Sequence, residues 1–231
     1  MNKKNLLIII PSRSGSKGIK SKNIIKINNK PLLYYSINTA IKFKCKNKIV
    51  FCSTDSKKIA KISETFKVKV PFLRPKNISG DLSRDIEYVN HALKKFSENK
   101  IFFKFGLILR PTSPKRNLSI LQIAYKKFKK YNYDSLRSVI ESPYPVYKQW
   151  FIEKKELKSV IKSNIYEHYN APRQILKKTY AQSGNFEYFK INYKIKIKSI
   201  SGKKIGYYLT TNKLENDIDT MKDLKKFKLY G

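Results

Sequence analysis

The sequence predicts an α/β domain, with a mostly parallel sheet and helices on both faces. Three observations predict it. Short, unbroken apolar runs recur along the chain, as in strands buried on both faces. Helical patterns separate them at the spacing of βαβ units. The chain has 231 residues and is 41% hydrophobic, enough for one large domain with a real core and too apolar for a disordered chain.

Leu6–Ile10 is the first apolar run, closed by Pro11, and reads as a buried strand. A Ser/Gly/Lys-rich loop runs from Ser12 to about Asn23. Pro31 opens a helical pattern through Ile41, at an N1-like position. Lys48–Ser53 is a second strand, and Asp55-Ser56 caps a helix over Lys57–Phe66. Val68–Val70 reads as a short strand, and Asp81–Phe96 as a helix with Ile86, Val89, Asn90 and Leu93 on one side. Gly106–Leu109 is a third strand, ending in Arg110-Pro111-Thr112-Ser113-Pro114. Asn117 caps a helix through Lys130, and Ser135–Ile140 is a further strand.

The alternation breaks after Ser142. Residues 143–182 carry three prolines, many Tyr and short β-like pieces such as Trp150–Glu153. This stretch reads as an excursion from the sheet and a candidate dimerisation arm within a single domain spanning 1–231. Gly184–Phe189 returns to a strand, Asp217–Thr220 ends the last strand-like piece, and Met221–Phe227 closes the chain as a helix.

The formal charge of +35 points first to a polyanionic partner such as nucleic acid. The residue types argue otherwise. Lys numbers 44 and Arg only seven: Arg13, Arg74, Arg84, Arg110, Arg116, Arg137 and Arg173. Nucleic-acid readers favour Arg, and no zinc-finger, RNP or OB signature is present. Abundant Lys, Ile, Asn, Tyr and Phe fit A/T-rich coding and a solvated surface. The few Arg are therefore candidates for special work. Two cysteines and two separated histidines make neither a disulfide scaffold nor a zinc site. The apolar run near the start is too short for a signal peptide, and no stretch is long enough for a membrane span. A cytoplasmic location and no membrane insertion are expected.

The first loop, Pro11 to Asn23, follows a buried strand, so it sits at the carboxyl edge of the sheet where open α/β folds bind ligands. Gly15 and Gly18 let the backbone approach a ligand, with Ser12 and Ser16 beside them. Arg13, Lys17 and Lys22 add positive charge. Amide donors plus cations suit a triphosphate. The loop is neither a Walker A motif nor Gly-x-Gly-x-x-Gly. Asp217-x-Asp219 is a pair of hard carboxylates on an extended segment and suits Mg²⁺ or Mn²⁺, while a helix cap at Asp219 is the plainer alternative. Arg110, Thr112 and Ser113 offer donors on a proline-stiffened rim. Arg74 and Arg173 each sit beside a proline, and Arg173 with Gln182 suits a carboxylate and hydroxyls.

Together these segments resemble the acylneuraminate cytidylyltransferases, which make CMP-sialic acid and related CMP-sugars. The matching pieces are IIIPSRSGSKGIKSKN (8–23), KPLLYYSINTA (30–40), VFCSTDS (50–56), LRPKNISGD (73–81), LILRPTSP (107–114), PRQ…SG (172–184) and DIDTMKDL (217–224), covering nearly the whole chain in order. The resemblance implies a Rossmann-like fold, a homodimer whose arm reaches the neighbour's site, CTP as co-substrate and Mg²⁺ as metal. It implies that Arg13 and Lys22 contact phosphates, with Asp219 completing the catalytic set. Asn23, Arg74 and Asp85 fall on the nucleotide side, Asp217 and Asp219 on the metal, and Arg173 near the sugar acid. Three positions depart from the sialate pattern: Arg110 where Gln is common, Asp85 where Ser is common, and Ala181-Gln182-Ser183-Gly184 in place of an Arg-Pro-Asn-Gly-like segment. The expected reaction joins CMP from CTP to the anomeric hydroxyl of a nonulosonic acid. The alternatives are a cytidylyltransferase for Kdo or a polyol phosphate, a basic nucleic-acid-binding module, or an inactive relative. Neither histidine lies in a motif, so no protein base is assigned.

Overall fold

A computed structural model of the chain describes residues 2–16, 18–193, 198–211 and 217–230, the last three without their side chains. In chain order the elements are β1 (Asn2–Pro11), β2 (Lys26–Ile27), β3 (Lys30–Pro31), α1 (Leu32–Lys42), β4 (Lys48–Ser53), α2 (Lys57–Thr65), α3 (Asp85–Glu98), β5 (Ile101–Ile108) and α4 (Leu118–Lys130). There follow β6 (Ser135–Glu141), β7 (Trp150–Glu153), β8 (Glu156–Ser159), β9 (Tyr180–Lys190), β10 (Ile205–Leu209) and α5 (Met221–Tyr230).

Six strands form the main sheet in the order β10-β6-β9-β5-β1-β4. All neighbours are parallel except β9, which runs antiparallel to both β5 and β6. The expected mostly parallel sheet is therefore the observed one. Leu6–Ile10 on β1 are all fully buried. Leu6, Ile8 and Ile10 face one layer with α1, α2 and α4, while Leu7 and Ile9 face α3. Burying such side chains stabilises the fold by about 1.5–3 kcal/mol each, which is why this run occupies an interior strand, between β5 and β4. β1 lies between β4 and β5, so the chain moves to opposite sides of β1 in its first two crossovers. The crevice above that switch in strand order is the usual ligand position in open α/β sheets.

Two helix caps stand where the sequence puts them. Ser56 Oγ accepts from Ile59 N at 3.3 Å, and Asn117 Oδ1 accepts from Ser119 N at 2.9 Å and Ile120 N at 3.2 Å. Other boundaries differ. Pro31 ends β3 as the N-cap of α1 rather than opening the helix. Val68–Val70 is no strand, because Val68 N bonds Ser63 O and only closes the end of α2. α3 starts at Asp85, not Asp81: Glu87 Oε2 takes the Arg84 N–H at 2.6 Å, and Gly80 O takes the Ser83 N–H in a turn before it. Its buried side is Tyr88, Val89, Ala92, Leu93 and Phe96, so Ile86 and Asn90 lie off the core face. Asp217–Asp219 is irregular rather than strand-like, and Thr220 rather than Asp219 caps α5. Thr220 Oγ1 accepts from Asp223 N at 3.2 Å and Asp223 Oδ2 accepts from Thr220 N at 2.8 Å, a reciprocal capping box.

The excursion after Ser142 carries the β7–β8 hairpin, with Trp150 opposite Ser159 and Ile152 opposite Leu157. Phe151 and Ile152 are exposed, at 54% and 80%. Its end lies earlier than the sequence suggests, since Tyr180–Gln182 already pair with Glu141–Val139 in the main sheet.

Candidate active site

A cleft of about 590 Å³ opens at the carboxyl ends of β1 and β5. Its walls come from the first loop, the segment before α3, the turn after β5 and the segment leading into α5.

The loop is shaped by two clamps. Asp55, just past β4, accepts from Ser14 N at 2.7 Å and Ser14 Oγ at 2.6 Å. Asn23 Nδ2 donates to Arg13 O at 2.8 Å, tying the loop's two ends together. Gly18 has a specific task, because a Cβ there would collide with the backbone carbonyl of Asp219. Gly15 faces open space. The sequence assigned both glycines to ligand approach, and the structure separates them.

Lys22 and Asp219 stand 197 residues apart and meet at 2.7 Å. Arg13 pairs with Asp81 at 2.7 Å. Arg74 is buried, donating from Nε to Ser53 Oγ at 3.1 Å and from Nη2 to Ser53 O at 2.7 Å, with its guanidinium 4.7 Å from the Tyr88 ring centroid. Burial lowers its pKa, opposed mainly by Tyr88 and Asp55. Arg110 pairs closely with Asp85 and lies 3.5 Å from Glu187. Burial acts to lower the Arg110 pKa, but Tyr88, Asp85 and Glu187 outweigh it and raise it above its ordinary value. In these contacts Lys22, Arg13 and Arg110 meet acidic side chains, while Arg74 meets the Ser53 hydroxyl and carbonyl and the Tyr88 ring.

Of the residues expected at the site, Arg13, Ser16, Lys22, Asn23, Arg74, Asp85, Arg110, Thr112 and Asp219 line this cleft. Lys17 lies outside the described residues. Others serve the cleft differently or stand away from it. Ser12 is fully buried and does not line the cleft, with its N–H bonded to Ser53 O at 2.8 Å as a continuation of β1. Ser113 is also buried, and its hydroxyl donates to Asp217 rather than facing a ligand. Gln182 is exposed and accepts from Arg137. Arg173 is exposed on the excursion and does not line the cleft. His168 is in the same excursion, bonded to Ser159 Oγ at 2.8 Å, and His91 is on α3; neither lines the cleft.

The sequence reading missed several supports. Asp81 and Tyr88 line the cleft. Arg116 sits behind it, with Nε donating to Asn185 O at 2.6 Å, Nη1 to Ser36 Oγ at 2.8 Å and Nη2 to Arg110 O at 2.6 Å. Burial brings its pKa down to about 9, opposed by Asp217. The scarcity of Arg was the signal for it. Five of the seven, Arg13, Arg74, Arg110, Arg116 and Arg137, line the cleft or belong to the network directly behind it.

Asp219 meets the first loop through Lys22, whereas Asp217 is bonded to Ser113 and does not line the cleft. Burial raises the Asp217 pKa, the Ser113 hydroxyl opposes this, and Asp219 adds repulsion. Ile218 N bonds Thr112 O at 2.8 Å, fixing the segment to the turn after β5. Among the described residues no group of three or more His, Cys, Asp or Glu is arranged to hold a metal. Two oxygen donors alone suit a hard cation that keeps waters and takes phosphate oxygens, as Mg²⁺ does.

A family model described as cytidylyltransferase matches residues 7–190. The chain belongs to the cytidylyltransferase family. A pseudaminic acid cytidylyltransferase of Campylobacter jejuni is 30% identical over 223 residues, covering 96% of this chain and 94% of that protein. A CMP-N,N'-diacetyllegionaminic acid synthase of Legionella pneumophila is 40% identical over 111 residues, 48% of this chain and 47% of its own. A solved CMP:2-keto-3-deoxy-manno-octonic acid synthetase complexed with CTP superposes with a TM-score of 0.67 at 12% identity, covering 98% of both chains. That likeness supports the fold. Among the described residues no helix is long and apolar enough to cross a membrane.

Proposed function

We propose that this cytidylyltransferase transfers CMP from CTP to the anomeric hydroxyl of a nonulosonic acid of the pseudaminic, legionaminic or sialic type, releasing pyrophosphate. The observation that carries the reading is the meeting of the first loop with Asp219 at one cleft, where Lys22 and Asp219 touch at 2.7 Å beside Arg13, Arg74 and Arg110. The full-length similarity to a pseudaminic acid cytidylyltransferase supports the substrate class.

In this reading the hydroxyl oxygen attacks the α-phosphorus in line, the bond to the pyrophosphate oxygen breaks, and the hydroxyl proton leaves to solvent. Such chemistry rests on positioning and charge neutralisation. Arg13 exchanges Asp81 for phosphate oxygens, and Lys22 exchanges Asp219 likewise. Asn23 and Arg74 hold the nucleotide, and Arg110 with Thr112 faces the sugar acid. Asp217 and Asp219 are the residues that would hold Mg²⁺ (or Mn²⁺). When bound, the ion neutralises phosphate charge and favours ionisation of the attacking hydroxyl. Ser113 and the Ile218–Thr112 backbone bond orient the carboxylate pair. The chain is proposed to act in the cytoplasm as a homodimer, with the exposed apolar hairpin of Phe151 and Ile152 as the contact.

The test is pyrophosphate release with each of the four ribonucleoside triphosphates plus Mg²⁺, against pseudaminate, legionaminate, N-acetylneuraminate and Kdo. Release with CTP and a nonulosonate, and not with the other nucleotides, is expected. Release with Kdo alone, or none while CTP still raises the melting temperature, would overturn the sugar class.

A further inference from the structure

Behind the cleft lies a buried charge network that the proposed chemistry does not use. Glu187 on β9 is 2% exposed, and Arg137 on β6 stands directly across the strand pair from it. Arg137 Nη2 meets Glu187 Oε1 at 2.6 Å, while its Nη1 donates to Gln182. On the other side, Arg110 Nη2 lies between Asp85 Oδ2 and Glu187 Oε2. The row Asp85–Arg110–Glu187–Arg137 thus alternates in charge from the cleft wall into the sheet. Both anionic contacts of Arg110 use the same nitrogen. Its Nη1 is buried and meets no acceptor among the described residues, although Arg110 lines the cleft.

A buried acid flanked by two guanidinium groups is costly unless each charge is held in place. Glu187 is ion-paired with Arg137 and, together with Asp85, contacts one and the same Arg110 nitrogen, Nη2. A guanidinium is planar and rigid, so pinning one nitrogen between two carboxylates sets the direction of the other.

We propose that Glu187, backed by Arg137, is a positioning residue that holds the Arg110 guanidinium so that its Nη1 donates to an oxygen of the sugar acid. This rests on the nonulosonate reading above and extends it to two residues that do not line the cleft.

Glu187→Gln keeps the size and removes the charge. Initial rates are measured with CTP, Mg²⁺ and whichever nonulosonate turns over with the wild-type chain. The KM for the sugar acid is expected to rise about tenfold or more, the scale of one charge-assisted hydrogen bond. The KM for CTP is expected to stay within twofold. Losing the Glu187 charge leaves Arg137 without its carboxylate partner, bonded only to Gln182 and Ser201, so the double variant Glu187→Gln/Arg137→Gln is made alongside. In the double variant the melting temperature recovers while the sugar-acid KM stays high. A KM that recovers together with the melting temperature, or both KM values rising in step, would show a purely structural role and overturn the proposal. An unchanged sugar-acid KM in a folded variant would overturn it too. If the wild-type chain turns over no nonulosonate at all, the functional reading fails first and takes this inference with it.

Discussion

Gly18→Ala isolates the junction between the first loop and the Asp217–Asp219 segment. An added Cβ at Gly18 would lie well inside 3.0 Å of the Asp219 carbonyl oxygen and 3.5 Å from its carbon. The obstacle is backbone, so no side-chain rotation relieves it. Reaching ordinary van der Waals separation requires the loop and the Asp219 backbone to part by about 1 Å, and a misplacement of that size costs on the order of 100-fold in rate. The loop carries Arg13 and Lys22, so the shift moves these cations away from Asp219. Pyrophosphate release under saturating CTP and nonulosonate is the assay, with thermal melting as the control for folding. Gly15→Ala, in the same loop but facing open space, is expected to lose at least tenfold less of the rate. Wild-type turnover in a folded Gly18→Ala variant would refute the argument that this contact sets the site.

Asn117→Ala removes two cap bonds at the start of α4 and should cost about 1 kcal/mol, lowering the melting temperature by a few degrees with unchanged KM values. Asp219→Asn and Arg13→Ala should each lower turnover by orders of magnitude, by about 100-fold or more, while the chain stays folded by circular dichroism. His91 has a pKa lowered chiefly by burial, with Lys95 and Arg74 adding to it. The unfolded chain therefore binds more protons as pH falls below about 6.5, and stability present above that value is lost on acidification. His91→Gln should flatten this part of the pH–stability curve in denaturant melts, and an identical curve would show that His91 does not contribute.

The sheet was readable where pattern and chemistry agree. The five-residue apolar run of β1 and the Asn117 cap of α4 leave little alternative, and both stand as expected. The start of α3 was harder, since Asp81 and Asp85 are equally good helix openers, and only the Glu87 bond to Arg84 N selects the later one. Without tertiary contacts the Val68–Val70 piece looks like a strand, and β10 gives only five residues of signal. In the site, Arg13, Lys22 and Asp219 stood out by residue type and Asn23 by the family resemblance, and all four line the cleft. The residues that hold them were less so. Ser113 reads as a donor on an exposed rim until Asp217 is seen to take its hydroxyl. Glu187 lies in a strand pattern where one acid gives no sign of meeting two arginines. Arg116 carried the one general signal available, an Arg in a chain that otherwise uses Lys.

The central claim is that the α-phosphoryl group of CTP ends on a nonulosonic acid. Radiolabel at the α-phosphorus and at the γ-phosphorus of CTP, followed separately with the purified chain, Mg²⁺ and pseudaminate, legionaminate or N-acetylneuraminate, tests it directly. The α label is predicted to appear in an acid-labile CMP-sugar and the γ label in pyrophosphate. An α label recovered only in free CMP or CDP, or a γ label on the sugar, would contradict the account.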